Sequence, residues 1–438
     1  MMVRFLLQWI IRFATLEAPS TDLSVTLFGF VVFEGLMSES FTLFSASSMG
    51  AILLGFRIFD GLTDPIAGSV SDRWVSKGRQ RRHLLWYSFF LPAIGLALCF
   101  APTHAVTIGL RWLMVSTGLF VFFVGYTLYC IPYWSLILDY SDGDTDTQRT
   151  LSNILGIGLL IATAIGFGLT PIMIGSFGYL TSAFIVGMVG TVLMVLPIFA
   201  YPSDTPSASP PYEQAPPLDL RSSLMTSLKD RRFSALLILL SGAHMSLTVM
   251  TSAAPFIAIH LLGGADEDVA KLLGPFLGVG LLCLSFTPRL SRKWGWEKSL
   301  LAGCAALGVV YASTSSLDVP LFGTPLQSAM CLFMCGGPMV AIILGIEGEA
   351  ITRCATTKSE AHVSMYWGVY NFVVKAMNGV AIWVCGWLAS RIALTGDGPL
   401  IGLSAVKAMS LVAGAFLILG VLLYLWLRPV SNSSPQQG

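Results

Sequence analysis

The chain has 438 residues, of which 55% are hydrophobic and only 11% charged, and its mean hydropathy is +0.75. Soluble domains carry charged residues at about a quarter of positions, so this composition excludes that class. The formal net charge of +1, with no basic run, gives nucleic acid no surface to bind, and the absence of strand-like alternation argues against an outer-membrane barrel. What is left is an all-α, polytopic membrane protein, in which 43 glycines suit the close helix packing that lipid favours.

Hydropathy over a membrane-thick window predicts about twelve spans: 9–37, 45–70, 84–102, 110–138, 152–176, 180–201, 234–262, 271–287, 299–316, 326–350, 363–390 and 401–427. Glu17, Pro19 and Asp22 interrupt the first. It is either a long helix broken at Pro19 or a surface helix followed by a span starting near Leu23. Arg4 and Arg12 flank an apolar run near the start, but no small-residue cleavage site follows, so a removed signal peptide is not expected.

The second span carries Arg57, Asp60 and Asp64 within roughly 60° of one helix face, between otherwise apolar flanks. Each charge at mid-membrane costs about 2.5–3.5 kcal/mol even on the mild insertion scale, so this face is expected to look into protein or water. An ion cluster that only ties helices together is one reading. Two carboxylates four residues apart also suit an oxygen-lined cation site, which is the favoured expectation. In the fourth span Tyr126, Cys130 and Tyr133 share a face, next to Pro132 and Trp134, and form a candidate aromatic substrate wall. An acidic loop then leads to Arg149.

Residues 202–232 hold six prolines among Ser and polar residues, a composition that stays extended. They divide the chain into an expected six-helix bundle at 1–201, a cytoplasmic linker, a second bundle at 233–428 and a disordered tail at 429–438. The basic segment from Ser71 to Arg79 is echoed by Arg289 to Gly295 six spans later, which suggests duplication of the kind that builds secondary transporters around a central cavity. Basic residues concentrate in alternate loops, so both termini are expected to be cytoplasmic in a cell (inner) membrane.

In the eleventh span Asn371, Lys375 and Asn378 line up at i, i+4, i+7, and a lysine this deep needs a partner, for which Asp60 or Asp64 is the obvious candidate. Asp22 and Glu34 are weaker cavity candidates. Glu347 and Glu349 are expected to be helix-end charges, His244 a hydrogen-bonded packing residue, and Cys331 and Cys335 small packing residues. The eight cysteines form no metal-type pair, and no phosphate loop, nucleophile elbow or HExxH motif is present, so an enzyme is not expected.

Arg57-Ile58-Phe59-Asp60-Gly61-Leu62-Thr63-Asp64-Pro65, Tyr126-Thr127, Ile131-Pro132-Tyr133-Trp134-Ser135-Leu136 and Val373-Val374-Lys375 resemble the glycoside-pentoside-hexuronide:cation symporters, the melibiose permease-like branch of the major facilitator superfamily. The resemblance implies that Asp60, Asp64, Thr63 and Thr127 bind Na+, Li+ or H+, that Lys375 is linked to that site, and that Trp134 lines the sugar site. Cys130 stands where sugar-transporting members have an aspartate, and a thiol lacks that group's paired acceptors. The helix-one sugar aspartate matches Asp22 only across a gap, and the segment near Arg149 lacks the family's second arginine. The sodium-dependent lysophospholipid symporters also lack the helix-four aspartate.

The expectation is therefore a cation-coupled symporter of a small organic solute, a sugar or glycoside, working by alternating access as a monomer in the lipid bilayer. A Na+-dependent carrier of lysophospholipids or other amphipathic solutes is the alternative. The coupling cation is the one cofactor-like partner expected, with Na+ at Asp60 and Asp64. Arg57 and Lys375 would balance charge, and Asp22, Tyr126, Cys130, Trp134, Asn371 and Arg149 would meet the substrate.

Overall fold

The structure is a computed structural model that describes residues 1–16, 24–27, 30–34, 42–77, 79–141, 145–200, 229–320, 323–356, 363–393 and 399–428. Helix α1 (Met2–Ala14) is followed by a short antiparallel hairpin, β1 (Ser24–Leu27) and β2 (Phe30–Glu34). The first half continues with α2 (Ala46–Ser76), α3 (Arg82–Ser88), α4 (Leu91–Phe100), α5 (Ile108–Ser141) and α6 (Thr145–Ala200). The second half contains α7 (Arg231–Phe256), α8 (Val269–Leu284), α9 (Thr287–Trp294), α10 (Trp296–Ser313), α11 (Pro325–Thr356), α12 (Val363–Ala393) and α13 (Pro399–Leu427). The described residues are all-α apart from the hairpin.

Eight of the described helical segments are long and apolar enough to cross a membrane, or nine when α8 and α9, bent by 59° at their junction, count as one span. Helix α2, which carries Arg57, Asp60 and Asp64, is not among them. Helix α6 is two helices joined at Gly178, whose φ of 76° is open to glycine at little cost, so it supplies the expected fifth and sixth spans. The architecture therefore comes close to the twelve spans expected.

The expected first span at 9–37 needs correction. Helix α1 ends at Thr15, whose hydroxyl donates to the Arg12 carbonyl at 2.8 Å, and Ser24–Leu27 pairs with Phe30–Glu34 as strands. Phe30-Val31-Val32-Phe33 is rich in the β-branched and aromatic residues that favour extended backbone. The chain then returns to α1, because the amides of Leu43 and Phe44 donate to the carbonyls of Leu16 and Ala14 at 2.9 Å each. Cys331 and Cys335, expected to be packed, are exposed on α11. The proline-rich linker lies almost wholly outside the described residues, as does the tail.

Each half is held by its own contacts: α4 with α5 and α6 in the first, and α7 with α13, α8 with α11, and α10 with α11 and α13 in the second. The halves meet along α2 and α12, along α6 and α8, and where α1 touches α7. Small residues make the first of these seams close. A Cβ placed on Gly386 would sit 2.4 Å from the Ala46 carbonyl oxygen, and one on Gly50 3.0 Å from the Trp383 Cα. In lipid, where no hydrophobic drive separates helix from solvent, such backbone approach carries much of the association.

Gly386→Val should therefore force α2 and α12 apart and destabilise the protein by about 1–3 kcal/mol. The measurement is thermal unfolding in detergent, with Gly274→Val, where nothing lies within 4 Å of the added carbon, as the near-neutral control.

Candidate functional site

Helix α2 separates its two kinds of side chain by face. Ile58, Leu62, Ile66 and Val70, spaced by four, are exposed outward, while Arg57, Asp60 and Asp64 turn toward α5 and α12. Asp60 is fully buried and Arg57 nearly so. Arg57 donates from Nη1 to Asp60 Oδ2 at 2.9 Å, and its guanidinium lies 6.0 Å from the centre of the Phe123 ring. From α5, Thr127 donates its hydroxyl to Asp60 Oδ1 at 3.0 Å. From α12, Lys375 Nζ reaches Asp64 Oδ2 at 2.5 Å and Asp60 Oδ2 at 3.3 Å.

Two cations and two carboxylates thus cancel formally within one cluster. This offsets the cost that any one of them would carry alone in a low dielectric. Because Lys375 belongs to the second half and the aspartates to the first, the cluster is also an electrostatic bond across the α2–α12 seam. Thr63 donates its hydroxyl to the backbone carbonyl of Asp60 at 3.0 Å, which leaves only its lone pairs for another partner. Among the described residues no group of three or more His, Cys, Asp or Glu side chains is gathered for a metal ion.

The other expected site residues divide. Tyr126 stacks on Phe122 with ring centres 6.2 Å apart. Cys130 and Tyr133 pack with Tyr129, Leu85 and Ile198 inside the first half, and Tyr129 donates to the Met194 carbonyl at 2.6 Å. Trp134 is 44% exposed, and Asn371 is exposed too. The face shared by Asn371, Lys375 and Asn378 is therefore used in three ways, since Asn378 accepts a hydrogen bond from Thr248 of α7 at 3.0 Å. Asp22 and the Arg149 side chain lie outside the described residues.

Two further clusters were not foreseen. Arg12 of α1 and Tyr179 of α6 both hold Asp266, at 3.2 and 3.0 Å, in the 3-10 turn Asp266–Asp268 that leads into α8. They tie the halves together at one end. In the second half, His244 of α7, Glu347 of α11 and Tyr370 of α12 form a closed triad. The expectation for Glu347 is corrected here: α11 runs on to Thr356, so Glu347 lies more than two turns inside the helix and is a largely buried partner of His244. The signal available in sequence was three lone polar residues on three separate spans, none of which lipid tolerates singly.

A family model described as MFS/sugar transport protein matches residues 41–432. Among curated proteins no sequence matches the chain. The fold is similar to several solved transporters. These include an auto-inhibited POT family peptide transporter (TM-score 0.64, 13% identity, 99% of this chain and 96% of that one). A mutant of the nucleoside transporter NupG is another (0.63, 14%, 98% and 98%). A third is a bacterial homolog to the human lysosomal transporter Spinster in an inward-facing, unoccupied conformation (0.62, 15%, 97% and 95%).

Lys375→Ala should leave two carboxylates facing a single guanidinium and destabilise the protein by about 3–5 kcal/mol. Adding Asp64→Ala should restore part of that loss. A double-mutant cycle on thermal unfolding in detergent should therefore give a coupling of about 1–3 kcal/mol between the two sites.

Proposed function

Because the chain belongs to the MFS/sugar transport protein family, whose members are membrane transporters and not enzymes, we propose that this secondary transporter is a symporter driven by a monovalent cation. The observation that supports the reading most is the reach of Lys375 to Asp60 and Asp64 across the two halves. The cluster is neutral as it stands, so an arriving cation would bring an uncompensated charge into a poorly screening environment. Binding therefore requires the Lys375 ammonium to withdraw. The ion then takes its place among oxygens of the kind a hard cation prefers, from Asp60, Asp64, Thr127 and Thr63.

Withdrawal releases α12 from α2. Ion binding thus favours the arrangement in which the halves part along that seam. A substrate that favours the same arrangement is bound more tightly when the ion is present, and the reverse holds by linkage. Protonation of Asp64 would release Lys375 in the same manner, so H+ and Na+ act on one device. The scheme places the chain in a cell membrane with cytoplasmic termini and a monomer as the working unit.

For the substrate, a sugar or glycoside meeting the α5 wall is the first reading. Cys130 favours a second one. A thiol packed with Tyr129 and Tyr133 offers hydroxyl-rich solutes no paired acceptor, and the half-exposed Trp134 suits an amphipathic solute such as a lysophospholipid.

Replacing choline with Na+ or Li+, or lowering the pH, should raise the thermal unfolding temperature of the wild type, and Asp64→Cys should erase that response. Once a screen of sugars, glycosides and lysolipids in the same assay identifies a ligand, Asp64→Cys proteoliposomes should lose concentrative uptake while keeping exchange. A wild type indifferent to all three cations, or a variant that still concentrates substrate, would reject the reading.

A further inference from the structure

A buried acid, a base and a hydroxyl meet in the second half with no part in the scheme above. His244 Nε2 lies 3.0 Å from Glu347 Oε2 and 3.0 Å from the Tyr370 hydroxyl, and that hydroxyl donates to Glu347 Oε1. The three side chains come from α7, α11 and α12, and each lies within a segment apolar enough to cross the membrane. His244 and Glu347 are only 21% and 15% exposed. With a neutral imidazole the triad carries one net negative charge, which is expensive at this depth. One added proton removes it, giving either an imidazolium–carboxylate pair or a neutral acid, and the titration then belongs to the pair as a unit.

We propose that His244, Glu347 and Tyr370 form a binding site for one exchangeable proton, separate from the aspartate pair. In this site Glu347 and His244 share the proton. Tyr370 fixes their geometry by donating to the carboxylate in both states.

The surroundings leave this charge to be settled locally. The electrostatic partners that act on Glu347 are His244 and Tyr370. On the helices packed against the triad, other charged groups are engaged elsewhere or exposed: Arg231 and Arg232 at the start of α7 are exposed, and Arg391 of α12 lies over the Trp387 ring. Lys375 of α12 is held by Asp60 and Asp64 of α2, which also hold Arg57. Glu349 of α11 takes Arg353 and the Ser291 hydroxyl. Arg12 of α1 pairs with Asp266, and Lys271 of α8 with Asp268. Lys407 and Arg428, at either end of the α13 segment, pair with Asp318 and with Glu297 of α10. Arg289 sits over the Phe286 ring, Arg292 donates to the Pro288 carbonyl, and Lys293 and Lys298 are exposed. No fixed cation therefore stands in for the proton at Glu347 among the described residues.

That this proton is moved during transport rests on the symporter reading, whereas its binding does not. The chain has five histidines, so ring resonances of labelled histidine can be followed by NMR in detergent-solubilised full-length protein, with His244 identified by its absence in His244→Gln. Lowering the pH should protonate the His244 ring in the wild type. In Glu347→Gln, a near-isosteric change, its affinity for that proton should fall about tenfold or more. A His244 that does not titrate in the wild type, or an unchanged midpoint in Glu347→Gln, would overturn the proposal. A readout that follows the site as a whole is net proton uptake. The wild type should take up about one proton per chain more than the His244→Gln/Glu347→Gln double variant as the pH is lowered, and equal uptake overturns the site. The Na+ response of thermal stability should persist in Glu347→Gln. Its absence in the wild type would count against the aspartate cation site and leave the triad standing.

Discussion

A charge inside a membrane helix has to find its opposite on another helix, and this single requirement organises the protein. Arg57, Asp60 and Asp64 on α2 cannot be satisfied by α2 alone, because three charges on one face still leave a carboxylate in excess. Lys375 supplies the missing charge from the other half of the chain. The small residues of the α2–α12 seam bring the helices close enough for this, with Gly50, Gly379 and Gly386 letting backbone meet backbone. Packing and electrostatics here reinforce each other, since an open seam would strand the charges and uncompensated charges would open the seam.

Much of this was legible in the sequence because lipid is an intolerant solvent. Length and hydropathy located most of the helices, and the lone Lys375 deep in a span pointed to an acid elsewhere. The least legible part was the first span. Glu17, Pro19 and Asp22 flagged an interruption, but hydropathy cannot tell a second apolar helix from an apolar hairpin, and residues 24–27 and 30–34 pair as strands. The triad was missed for a different reason. A histidine and a tyrosine are unremarkable in a span, and Glu347 was read against the expected end of its helix, whereas α11 continues to Thr356. The distance between a charge and a helix end depends on where the helix stops, and sequence places that boundary poorly.

The two buried clusters differ in what they join. The aspartate cluster bridges the halves, so a change in its charge bears on their relative position. The triad lies wholly within the second half, so a change in its charge bears on how α7, α11 and α12 pack with one another. The turn that holds Arg12, Tyr179 and Asp266 adds a third tie, also between the halves, at an end of the molecule where α6 is broken at Gly178.

Helix α12 takes part in both buried clusters, and its geometry sets their relation. Tyr370 and Lys375 are five residues apart, which places them about 140° apart around the helix axis. Both side chains are engaged at once, so a roll of α12 about its axis would carry both off their partners together. A single rigid rod thus ties the two engagements to one another, with no need for a chain of intervening residues to carry the message.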